Sequence, residues 1–217
     1  MTTIDERSFT CPVDGREFAD QVVMSTNQMG QQTDFKPLVG GLFPFPFYVH
    51  ACPSCGFAGY EDDFDREYPE EFKRWAKSEL APELASGPLT GALKYILAAR
   101  CALKMGKAKK DAADLFLRGA WCAQEEELAA LEMRCRREAA SLFEEALASR
   151  EIAPEERAVV TYLVGELHRR LGDAQTARAW FDAVPGEVSV PDKYAWLLRI
   201  AMIQKKNPLE RFPEDMS

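Results

Sequence analysis

Histidine is scarce in this chain: His50 and His168 are the only two among 217 residues. That scarcity closes most routes to hydrolytic chemistry. There is no HExxH pair for a catalytic zinc, no GxSxG nucleophile turn, no glycine-rich phosphate loop and no dinucleotide fingerprint. Basic charge is also sparse where it would matter. Residues 1–60 carry three Lys or Arg (Arg7, Arg16, Lys36) against six Asp or Glu, and the whole chain has a formal net charge of −8. A surface built to grip phosphates would be basic, so nucleic acid is an unlikely partner. No apolar run approaches the roughly 18 residues of a membrane helix. The opening MTTIDERSFT lacks the basic start and apolar stretch of a secretory signal. The expectation is a cytoplasmic protein with no membrane association. Six cysteines in such a setting argue against a disulfide framework.

Two short stretches share one pattern. CPSCG at 52–56 is a zinc-knuckle sequence: the two-residue gap aims both sulfurs at one ion, and the glycine permits the tight turn. CPVDG at 11–15 repeats its cysteine, proline and glycine, with Asp14 where the second cysteine stands. Zinc takes four ligands in a tetrahedron, and carboxylate oxygen is an accepted one. The expected metal ligands are therefore Cys11, Asp14, Cys52 and Cys55, with zinc the expected ion and its role structural. His50 is the alternative fourth ligand, because residues two apart on a strand share a face. A degenerate knuckle with three free thiols is the competing reading.

The text around these knuckles reads as β and loop. Phe9-Thr10-Cys11 and Glu17 to Met24 predict a hairpin, 43–52 (FPFPFYVHAC) reads as extended, and the polar stretch between them as a long loop. From about residue 65 alanine, leucine, glutamate and arginine recur at helical spacing. Pro154 marks a helix start, Gly172 a stop, and Asp173 the cap of the next helix. Within LVGELHRRLGDAQTARAWFDAV, the residues Gly165, Gly172, Ala177 and Phe181 fall at tetratricopeptide spacing. Small residues there let two helices approach, and the aromatic fills the next gap. Cys101, Cys122 and Cys135 lie among apolar neighbours and read as core.

The fold class expected is α+β, mostly α: a zinc-ribbon-like β module over 1–64, then a tetratricopeptide-like antiparallel helical array over 65–217. CPVDG, TDFKP, YVHACPSCGFAGYEDDF and the helical tail together resemble a bacterial domain-of-unknown-function family, family twenty-two twenty-five. Its members carry paired CPxCG knuckles and a tetratricopeptide-like tail. The resemblance implies a metal site on Cys11, Cys52 and Cys55, and it brings no activity with it. The functional expectation is a non-catalytic interaction or scaffold protein that takes a protein or peptide partner through a helical groove. Tyr95, Trp121, Tyr162, Trp180, Tyr194 and Trp196 are candidates either for that groove or for the core. The alternatives are a zinc-dependent enzyme, in which Asp14 gives way to water, and a nucleic-acid-associated zinc ribbon.

Overall fold

The first knuckle sits in the turn of a long antiparallel hairpin, β1 (Thr3–Thr10) and β2 (Glu17–Ser25), with Phe9 opposite Phe18 and Thr10 opposite Glu17. The structure, a computed structural model, describes residues 2–85, 87–188 and 190–213. A second hairpin, β3 (Gly30–Gln31) and β4 (Pro37–Leu38), lies inside the stretch read as a loop. A third, β5 (His50–Ala51) and β6 (Ala58–Gly59), brackets the second knuckle. The segment before it, read as extended, holds one 3-10 turn at Phe45–Phe47, with Pro44 as its cap and Pro46 in its first positions. A helical first turn needs no internal N–H donors there, so these prolines are tolerated rather than prohibitive.

Eight helices follow among the described residues: α1 (Glu70–Glu79), α2 (Ala81–Leu84), α3 (Gly91–Lys104), α4 (Lys109–Glu125), α5 (Ala129–Ala148), α6 (Pro154–Arg170), α7 (Ala174–Glu187) and α8 (Ala195–Lys206). From α3 onward each packs on the next. The fold is thus α+β and mostly α, with two-stranded sheets ahead of a helical array. The breaks between helices are where the sequence puts them. Gly172 takes the left-handed conformation (φ 85°) that favours glycine, and the Asp173 side chain accepts from the Thr176 N–H at 3.0 Å. At Gly165 a Cβ would stand 2.8 Å from the Phe181 ring, so α6 and α7 meet there only because the side chain is absent.

Helix α3 is buried almost all round, from Gly91 through Ala102 except Arg100. Such a helix must be covered on both sides. Strands β5 and β6 and the Phe45–Phe47 turn pack on one flank, and α4 on the other. One continuous apolar core accordingly runs from Phe9 in the first hairpin to Leu167 in α6. A second cluster, with Tyr162, Phe181, Leu197 and Phe212, closes the C-terminal end. Cys101, Cys122 and Cys135 are fully buried, and burial pushes their thiols up, Cys101 and Cys135 to about 12. They are core residues. Of the array's aromatics, Tyr95, Trp121, Tyr162 and Tyr194 are buried, while Trp180 and Trp196 are half-buried.

The tip of the β3–β4 hairpin is the least apolar part of the interior. Thr33, Asp34 and Lys36 are all buried, wedged against the helical array. Asp34 Oδ2 accepts from Arg136 Nη1 at 3.0 Å and lies 3.5 Å from Arg170 Nε. Lys36 Nζ reaches Gln124 and Glu125 at the end of α4. Thr33 donates to Glu166 Oε1 at 2.6 Å, and its carbonyl accepts from the Tyr162 hydroxyl at 3.0 Å. Glu166 also accepts from Arg169, Arg170 and Gln204. Phe35, at φ 65°, turns its ring onto Tyr162, Trp196 and Phe212. Arg169 and Arg170, in the last turn of α6, are therefore members of an ion-pair network around the buried Asp34 and Glu166.

Candidate metal centre

The two knuckles are the same turn built twice. In the first, the Cys11 N–H donates to the Arg16 carbonyl and the Gly15 N–H to the Cys11 carbonyl, both at 2.9 Å. In the second, the Cys52 N–H donates to Phe57 (2.8 Å) and the Gly56 N–H to Cys52 (3.0 Å). Gly15 and Gly56 both take the left-handed conformation, at φ 74° and 77°. Asp14 and Cys55 thus occupy equivalent places, each just before the turning glycine. Gly56 has a second constraint: a Cβ there would stand 2.9 Å from Leu80 Cβ, so the knuckle rests directly on the chain that joins α1 to α2.

These turns bring the ligand atoms of Cys11, Asp14, Cys52 and Cys55 within 4.8 Å of one another. The Cys11 and Cys55 sulfurs are 3.6 Å apart, and the Cys52 sulfur is 3.7 Å from each Asp14 oxygen. Ligands of a tetrahedral ion at about 2.3 Å (sulfur) and about 2.0 Å (oxygen) would stand about 3.8 Å and about 3.5 Å apart. The side chains fit such an ion. All three cysteines are buried, whereas Asp14 is half-exposed and also accepts from the Arg16 N–H at 3.1 Å.

Charge points the same way. Hydrogen bonds from Cys11 and then Cys55 draw the Cys52 thiol well below the usual range, while the bond to Cys52 pushes Cys11 up to about 12. Cys55 is pushed up by Cys11 and Cys52 in turn. The three sulfurs thus act on one another's protons, Cys52 being drawn down and Cys11 and Cys55 pushed up. A cation able to replace those protons satisfies all three sulfurs together.

His50 is elsewhere. Its ring is buried, stacks on Phe9 with centroids 4.2 Å apart, and puts Nδ1 3.2 Å from Asp20 Oδ2. Lys94, in the first turn of α3, donates to the same oxygen at 2.6 Å. This triad joins the first hairpin, β5 and α3. It was not legible beforehand, because Asp20 is one polar residue on an exposed strand, 30 positions from His50 and 74 from Lys94. Burial alone would raise the Asp20 carboxyl, but His50 and Lys94 together hold it below its ordinary 3.8. A depressed carboxylate stabilises the fold above its unfolded value and ceases to do so as pH falls through its folded one. Urea midpoints measured from pH 6 down to pH 2 should fall more steeply for the native chain than for Asp20→Asn. Parallel curves would refute that role. His168, on α6, lies 2.7 Å from Glu144 and far from the knuckles in the chain's architecture.

Acid-rich YEDDF, after the second knuckle, forms a capping turn. Asp63 accepts from the Tyr60 N–H at 3.0 Å and lies 3.3 Å from Arg66 and 3.7 Å from Lys107. It presents no pair of carboxylates to the cysteine cluster.

The molecule is, by these features, a helical protein that carries a metal-competent cysteine and aspartate cluster on paired knuckles. It belongs to the bacterial family described as "Uncharacterized protein conserved in bacteria (DUF2225)", whose profile matches residues 4–200. No curated protein and no solved structure matches it. No helix among the described residues is long and apolar enough to cross a membrane.

Proposed function

We propose that the protein is a non-catalytic interaction scaffold, in which one structural zinc ion pins the two knuckles and a tetratricopeptide-like array presents the surface for a protein or peptide partner. The observation that carries this reading is the convergence of Cys11, Asp14, Cys52 and Cys55 within 4.8 Å, with the three sulfurs buried. Four protein ligands around one ion close its coordination, which is the mark of a structural site. Thiolate ligands favour zinc over the hard cations that carboxylates and carbonyls select. The Thr33–Lys36 tip occupies the side of the array that carries Glu125, Arg136 and Glu166, so the partner surface is expected on the faces this leaves exposed.

A zinc-dependent enzyme is the second reading. It draws on Asp14, the one ligand of the four that is not buried and hence the one water could displace. Against it, the described residues His50 and Asp20 are engaged with each other and with Lys94 rather than with the cluster.

Elemental analysis of the full chain, purified without chelator, should give about one zinc per chain. Chelation should then loosen the backbone amides of both knuckles while those of α4 to α6 stay protected from hydrogen exchange. A chain free of any transition metal, with its knuckle amides protected nonetheless, would mean that packing alone holds these hairpins.

A further inference from the structure

A cleft of ≈ 500 Å³ opens between α4, the β3–β4 hairpin, the Phe45–Phe47 turn and the residue after β6. Its size falls in the range of small-molecule sites, about 300–1,000 Å³. The walls are aromatic: Phe35, Phe45, Tyr48, Tyr60 and Trp121, with Arg118 the one charged group. It is separate from the knuckles, and neither the ion-pair network nor the Asp20 triad uses Arg118 or Trp121.

One polar atom in the wall of this cleft has no partner. Trp121 is 6% exposed, and its indole N–H is buried with no hydrogen-bond partner. Tyr95, on α3 and fully buried, likewise has a hydroxyl without a partner. Arg118 donates to the Tyr60 hydroxyl, and its charge also acts on the Asp114 carboxyl one turn before it, which lies 3.4 Å from Lys110. Indole and guanidinium groups can only donate. A buried donor left unpaired is costly, and the Trp121 N–H is one beside this cleft.

An aromatic cage for a quaternary ammonium would fit the walls, but a guanidinium already stands in it and would repel a second cation. What suits both walls and donors is a flat ring for the aromatics and an anion for Arg118. We propose that this cleft binds a planar aromatic or heteroaromatic molecule bearing a carboxylate or phosphate. The ring lies against Trp121, Phe45 and Tyr48, and the anion pairs with Arg118.

The test is a titration of the full chain with 2-naphthyl phosphate, with 2-naphthol and 2-naphthylmethylamine as neutral and cationic controls. Calorimetry gives the affinity, and the indole N–H resonances give the location, the Trp121 signal being assigned from Trp121→Phe. The phosphate should bind saturably and shift the Trp121 resonance. The naphthol should bind about tenfold to a hundredfold more weakly and the amine more weakly still. Arg118→Met, checked for native thermal unfolding, should lose the preference for phosphate over naphthol. The location test asks only that Trp121→Phe fold well enough to assign one signal, the titration itself being read on the native chain. No saturable binding of the phosphate, equal affinity for phosphate and naphthol, or a shift confined to the other tryptophans would each overturn the assignment.

Discussion

Replacing Glu166 by alanine should cost the fold about 3–5 kcal/mol, the range seen when one member of a buried ion pair is removed. Glu166 is fully buried on α6. Its carboxylate accepts from Thr33 (2.6 Å), Arg169 (2.7 Å), Gln204 (2.8 Å) and Arg170 (2.9 Å). Alanine would leave those donors around a gap, with Arg170 kept by the exposed Glu210 carboxylate at 3.0 Å and by Asp34 at 3.5 Å. Glu166→Gln keeps the shape and one acceptor oxygen, so it should lose less. Urea denaturation of the three chains at neutral pH measures the difference. A loss below about 1 kcal/mol for the alanine variant, the net value of an ordinary hydrogen bond, would mean that water reaches the site and the network is not the clamp described here.

The second large effect concerns the knuckles. Cys52→Ala should yield a chain without bound metal after gel filtration, because it removes one of the three buried sulfurs of a four-ligand cluster. Asp14→Ala should weaken metal retention by more than the roughly 10–100-fold that loss of an outer-shell partner costs. Asp14→Cys restores the repeated CPxCG pattern and should hold zinc at least as firmly as the native chain. His50→Ala should leave metal content unchanged, since its ring is directed to Asp20 and not to the cluster. Competition against a chromogenic chelator ranks the four. Native-like retention in Asp14→Ala would remove the carboxylate from the ligand set.

The knuckles were readable because the cysteine, proline and glycine each has a fixed job in a short turn, so Asp14 could be placed by its neighbours alone. The helices were readable for a similar reason: Gly172, Asp173 and Pro154 act within one turn of where they stand. The TDFK hairpin was not. Its strands are two residues each, too short for any alternation, and its partners lie 102 positions away at Arg136 and 133 at Glu166. Local pattern carries no trace of such pairs, and Asp34 and Lys36 read as ordinary loop charges. The turn at Phe45–Phe47 was obscured differently: its two prolines exclude a long helix but not a three-residue one.

The same separation sets an order of events when the chain is made. Thr33 and Glu166 are 133 positions apart. At roughly 5–20 residues per second, about 7–27 seconds pass between the synthesis of the two. Until α4 and α5 follow, the Thr33–Lys36 segment has no helix to meet, and its socket is complete only when α6 brings Glu166. The first hairpins are born well before the socket that locks them in place, and a chain halted short of α6 would carry the bolt without the keeper.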